Sequence, residues 1–224
     1  MAEVRTPDVP PRLFRYCRLD RPDDIEHERE AAIMRYIHCS MYKRMNDPME
    51  GFYEPSIRLK KEPAWRSRYR EILNAKQAVG IACFSETYDN EIMWAHYARN
   101  CSGMCVAYSS PKLLKNLPPT ARLSKMAYAE KPVRLSKHDQ DDVYLAAHKI
   151  LSQKKYNWAY EREWRVLGEY PGQLLYQGDI VTDIYFGSLT EAHHKQQIKS
   201  AFAGRSVNFH VMKVTGYKHR WMKA

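Results

Sequence analysis

The chain has 224 residues, 44% hydrophobic and 12% aromatic, with 36 Lys and Arg against 26 Asp and Glu for a net charge of +10. That length can bury a full core without disulfide or metal staples, and that hydrophobic share excludes wholesale disorder. The basic balance favours anionic partners, namely nucleic acid, an acidic protein face or a phosphate-bearing ligand.

No run approaches the ~18 consecutive apolar residues of a membrane span, and Met1 to Arg12 lacks the apolar stretch of a signal peptide. The expectation is a cytoplasmic protein with no membrane partner. Cys17, Cys39, Cys83, Cys101 and Cys105 are odd in number and mostly sit in apolar patterns. They read as reduced, buried thiols.

Residues 1–11 hold Pro7, Pro10 and Pro11 and read as a lead-in arm to one domain over 12–217. Leu13 to Leu19 alternates as a first strand. Ile25, Ala32, Ile33, Tyr36, Ile37, Met41 and Met45 recur at helical spacing, ended by Asn46-Asp47-Pro48. Ile57 to Arg70 is the most basic stretch and leads into helical Ile72 and Leu73. Ala78 to Ser85 is apolar and short, a buried strand. Asn90 caps a helix to Arg99, Met104 to Tyr108 is a second core strand, and Pro111 to Leu117 is a short helix.

Arg122 to Ala129 then reads as a strand, 131–140 as a polar loop, and Val143 to Leu151 as an amphipathic helix. Gln173 to Tyr176 and Ile180 to Phe186 are further strands. Thr190 is placed to cap a helix to Phe202, and Val207 to Val214 alternates as a last strand before a basic tail over 218–224. Helices and strands interleave too closely for regular parallel crossovers. The fold class expected is α+β, with a mixed, mainly antiparallel sheet and flanking helices.

The stretch Tyr156 to Leu167 (YNWAYEREWRVL) carries the densest chemistry. Read as a strand, it sends Glu161, Glu163 and Arg165 to one face and Trp164 and Val166 to the other. Its plain alternative is a solvated edge with a weak ion-pair ladder. Lys60, Lys61, Arg66, Arg68 and Arg70 with Trp65 form either a phosphate-tracking patch for nucleic acid or a solvated helix face with Trp65 packed inward.

His96 with Cys101-x-x-x-Cys105 lacks a fourth zinc ligand nearby, and His193-His194 reads as a solvated helix face with diverging rings. No metal cofactor is expected. P-loop, GxGxxG and GxSxG motifs are absent.

Arg15-Tyr16, Asn46 to Glu50, Cys83-Phe84-Ser85, Met93-Trp94-Ala95-His96-Tyr97, Gly103, Tyr128 and Lys155 to Arg165 together resemble a bacterial family of uncharacterised domains. Its pattern is NDPxE, CFS, MWxHYA and WxxExEWR. In outline the chain also resembles the ADP-ribosyltransferase fold, although it has no Ser-Thr-Ser strand. That second resemblance implies an enzyme, of toxin or defence type, that uses NAD to modify a nucleic acid or a protein. It implies Arg15, Tyr16, Ser85, Trp94, Tyr97 and Arg165 around NAD, with Glu163 steadying a ribosyl cation and Glu161 serving the acceptor. Two alternatives stand beside it: a non-enzymatic nucleic-acid binding module on the basic stretch, and a magnesium-dependent nuclease on Glu161 and Glu163.

Overall fold

The computed structural model describes residues 8–224. Residues 1–7, most of the expected lead-in arm, lie outside the described residues. In chain order the elements are β1 (Arg12–Cys17), α1 (Pro22–Met34), β2 (Tyr36–Cys39), β3 (Tyr53–Pro55), α2 (Ile57–Lys60), α3 (Trp65–Ala78) and β4 (Gly80–Ser85). Then follow α4 (Glu91–Tyr97), β5 (Met104–Ser109), α5 (Ser110–Asn116), β6 (Arg122–Lys125), β7 (Ala127–Ala129), β8 (Val133–Leu135) and α6 (Val143–Ile150). The chain closes with β9 (Gln153–Lys155), β10 (Glu163–Gly168), β11 (Gly172–Leu175), β12 (Val181–Phe186), α7 (Ala192–Ala201), β13 (Asn208–Thr215) and β14 (Lys218–Lys223). This is an α+β fold with a mixed, mostly antiparallel, open sheet.

Two compact units divide the chain. The first comprises Met1–Ile37, Phe84–Leu117 and Leu175–Ala224, and the second His38–Cys83 and Pro118–Leu174. In the first, the strands run β14-β13-β12-β5-β1 and reach the end of β4, where Phe14 stands opposite Ser85. Only β12 and β13 are parallel among the pairs with known register in this unit. Its core gathers Phe14, Trp94, Ala98, Cys105, Ala107, Tyr185 and Met212. Trp94 is fully buried and its indole N–H donates to the Tyr88 carbonyl at 2.7 Å. The helix that carries it starts as the sequence requires: the Asn90 side chain accepts from the N–H groups of Ile92 and Met93.

In the second unit, the first part of β4 is followed by β10 and β6, the last two antiparallel with Arg165 opposite Ser124. Smaller parallel pairs join β3 to β8 and β7 to β9. One apolar cluster unites Leu59, Ile72, Val133, Leu135, Ala146 and Ile150, and another unites Val79, Ile81, Leu151 and Leu167. Trp65 packs against the first of these from α3.

Several elements differ from the sequence reading. The helical periodicity through Met45 ends at Met34, because Arg35 adopts a left-handed conformation (φ 58°) that stops α1, and Tyr36 to Cys39 becomes a strand. Arg122 to Ala129 is two strands, since the chain changes partner at buried Met126: β6 pairs with β10 and β7 with β9. The loop at 131–140 holds β8 and a short 3-10 turn, Lys137–Gln140. Thr190 does not cap α7; its hydroxyl donates to the Gly103 carbonyl at 2.7 Å, and Glu191 takes the cap position. The basic tail is β14, paired with β13 from Thr215↔Lys218 to His210↔Lys223.

Candidate functional site

The second unit concentrates buried charge. Glu163 and Arg165, two apart on β10, point to one face, as strand alternation requires. Glu161 does not share that strand. It ends a 3-10 turn (Tyr156–Glu161), and Arg162 in the left-handed region (φ 45°) redirects the chain into β10. Nor is the face solvated, because every residue of β10 is buried and Arg165 is 0% exposed.

Lys154 on β9 joins the two acids. Its ammonium lies 2.6 Å from Glu161 Oε2 and 2.8 Å from Glu163 Oε2. The parallel pairing of β7 and β9 sets Tyr128 opposite Lys154, and the Tyr128 hydroxyl accepts from the Glu163 backbone N–H at 2.7 Å. On the other side, Arg165 donates to Glu163 Oε1 from Nε at 2.7 Å and to Glu163 Oε2 from Nη2 at 3.3 Å. It also forks onto Glu50 at 2.7 and 2.9 Å and reaches the Leu151 carbonyl at 2.8 Å. Bidentate geometry of this kind is why an arginine rather than a lysine suits the position.

Glu50 is delivered by Asn46-Asp47-Pro48-Met49-Glu50-Gly51. Asp47 Oδ1 accepts from the Met49 N–H at 2.9 Å, the Glu50 N–H bonds the Asp47 carbonyl, and Gly51 takes φ 69°. Lys76 on α3 steadies the turn: its ammonium donates to the Gly51 carbonyl and sits over the rings of Tyr42 and Tyr53, at 4.8 and 5.1 Å from their centroids.

Burial is the largest influence on each charge and opposes it. For Glu163, burial raises the carboxyl, but Arg165 and then Lys154 more than offset that and hold it at about 2, below its ordinary 4.5. For Lys154, burial pulls the ammonium down while Glu163 and Glu161 lift it above its usual range. The Cys83 thiol is pushed up, first by burial and then by Glu163, so it stays protonated, a hydrogen-bonding neighbour of the carboxylate and of Met45 Sδ at 3.7 Å rather than a nucleophile.

Lys154 also meets a hollow. A pocket of about 220 Å³ is lined by Asp47, Met49, Phe52 and Glu54 from the turn and β3, by 129–132 after β7, and by Gln153, Lys154 and Lys155 of β9. Lys131, Lys155, Glu54 and Glu130 give its rim charge of both signs, and Met49 and Phe52 stay largely exposed at 61% and 60%.

Residues 93–166 match the family described as Protein of unknown function (DUF2971). The DUF2971 segment runs from α4 into β10, 74 of the 224 residues, and contains Tyr128, Lys154, Glu161, Glu163 and Arg165. Glu50 and Cys83, which complete the cluster, lie before it. No curated protein and no solved structure matches the chain.

Of the residues singled out in the sequence, Glu161, Glu163 and Arg165 come together in the second unit. Arg15, Tyr16, Ser85, Trp94 and Tyr97 belong to the first. There, half-buried Arg15 stands opposite Val106, and the Tyr16 hydroxyl donates to the Thr87 carbonyl at 3.0 Å. The Ser85 hydroxyl accepts from the Thr87 N–H at 3.3 Å, and Tyr97 is half-buried beside His96. Lys60, Lys61, Arg66 and Arg70 are exposed on α2 and α3 or the turn between them, whereas Arg68 pairs with Glu71 at 2.6 Å. Glu50, Cys83, Tyr128 and Lys154 were not assigned roles from the sequence. Three of them stand in the family-like motifs, but nothing local marks Lys154 as buried.

Proposed function

We propose that the chain is an ADP-ribosyltransferase-like enzyme that takes NAD as donor, with the pocket beside Lys154 receiving the ribosyl end. The observation that carries this reading is that one ammonium, Lys154, lines the pocket and bonds both buried glutamates. At about 220 Å³ the hollow falls below the ~300 Å³ at which drug-sized sites begin, so it suits one ring and its ribose rather than a whole dinucleotide. Rim residues Lys131 and Lys155 suit the phosphates. A phosphate that draws Lys154 forward releases its hold on Glu161 and Glu163, leaving Glu163 to Arg165.

Glu163, ionised down to about 2, then steadies positive charge on the ribosyl carbon. The C1′–N bond breaks, nicotinamide leaves with the bonding pair, and an acceptor oxygen or nitrogen bonds C1′ and passes its proton to Glu161. The exposed Lys60, Lys61, Arg66 and Arg70 suit a nucleic-acid acceptor.

A second reading, binding without chemistry, has one specific observation behind it: both Glu163 oxygens already accept charged donors. The test is nicotinamide release from labelled NAD with DNA, RNA and protein acceptors. Transfer by the wild type and its loss in Glu163→Gln support the enzyme. Binding with no release selects the second reading, and release that survives Glu163→Gln removes the assigned role.

A further inference from the structure

Outside that site, the start of α7 brings together three metal-ligating side chains of the first unit. Adjacent histidines on a helix ordinarily diverge by about 100° around the axis. Here the rings of His193 and His194 lie with centroids 3.8 Å apart. Glu191, in extended conformation at the cap position, places Oε2 3.2 Å from His193 Nδ1. One donor atom from each of Glu191, His193 and His194 lies within 4.8 Å of the other two.

We propose that Glu191, His193 and His194 form a surface site for a divalent transition metal of the zinc class. The donor set selects the metal: two imidazoles with one carboxylate suit zinc, while calcium and magnesium require oxygen ligands throughout. Zinc binds nitrogen and carboxylate oxygen at about 2.0–2.2 Å, which in a tetrahedron spaces the donors roughly 3.3–3.5 Å apart. The Glu191–His193 pair, at 3.2 Å, already stands close to that spacing. The other separations lie within 4.8 Å, and Glu191 and His193 are exposed side chains that can rotate to close on an ion. The positive end of α7 opposes a cation, and the Glu191 carboxylate at the cap offsets it. Three protein ligands leave the fourth position to water, the arrangement of an open site.

The test is a calorimetric titration of the full chain with zinc chloride after chelator treatment, repeated on Glu191→Gln, on the double variant His193→Gln/His194→Gln, and on His138→Gln as a control at another exposed histidine. Visible absorption of added cobalt(II) reports the ligand geometry independently. The site predicts one zinc per chain, weakened about tenfold or more in Glu191→Gln, lost in the double variant and unchanged in His138→Gln. Absence of a saturable zinc event in the wild type, or zinc binding that survives the double variant, overturns it.

Discussion

Arg165→Met tests whether the buried charge cluster is a single energetic unit. The guanidinium is 0% exposed and makes five hydrogen bonds: two to Glu163, two to Glu50 and one to the Leu151 carbonyl. Its ion pairs set three carboxylates (Glu50, Glu161, Glu163) against Lys154 and Arg165, with the buried Lys76 ammonium also acting on Glu50. Methionine fills similar space but strips Glu163 and Glu50 of the guanidinium they share, and stranding buried charge costs about 3–5 kcal/mol. For a chain of this size that lowers Tm by roughly 6–20 °C, at about 2–4 °C per kcal/mol.

Glu163→Gln instead removes one carboxylate and keeps the shape. Its expected cost is about 1.5–3 kcal/mol, the range for charge-assisted hydrogen bonds. The native Glu163 carboxyl sits at about 2, below its ordinary 4.5. A depressed acid contributes stability above its unfolded value, and that contribution is lost as pH falls from about 4.5 through about 2, about 3 kcal/mol in all. Urea denaturation between neutral and acid pH measures both effects. Arg165→Met is expected to be the less stable variant, and Glu163→Gln to remove part of the acid-side decline. Arg165→Met within ~1 kcal/mol of wild type, or an unchanged acid limb in Glu163→Gln, refutes the coupling.

Two stability predictions follow from other features. The Tyr53 hydroxyl is buried without a hydrogen-bond partner, so Tyr53→Phe should be neutral or gain about 1 kcal/mol in urea melts; a loss of that size shows a partner for the hydroxyl. Arg35 holds φ 58° at the end of α1 with only a 3.8 Å ion pair to exposed Asp179, so Arg35→Gly should raise stability by about 0.5–1 kcal/mol, and a lowered Tm contradicts left-handed strain there.

Much of the fold was legible because local chemistry and tertiary packing agree. Asn90 ahead of Glu91, the apolar run of β4 and the i, i+2 pairing of Glu163 with Arg165 are short-range signals that the structure keeps. Two of the misreadings fall where a non-glycine residue turns left-handed. Arg35 and Arg162 have nothing in their side chains to announce it, and each shifts an element boundary: one converts helical periodicity into β2, the other removes Glu161 from its strand. The tail reads as a terminus because Lys218–Lys223 has few apolar residues; its pairing with β13 supplies the strand. Lys154 was invisible for a further reason. Beside Lys155 in a polar run it looks solvated, and its burial becomes tolerable through Glu161 at the end of the 3-10 turn and Glu163 on β10.

The central claim, that the pocket beside Lys154 takes NAD, is tested most directly by calorimetric titration of NAD into the wild type and into Lys131→Glu/Lys155→Glu. Both lysines are exposed, so the fold is expected to survive the exchange. The account predicts a saturable one-site isotherm in the wild type and binding weakened about tenfold or more in the variant, since each charged phosphate contact is worth about 1.5–3 kcal/mol. Equal affinity in the two proteins, or no heat of binding in either, contradicts it.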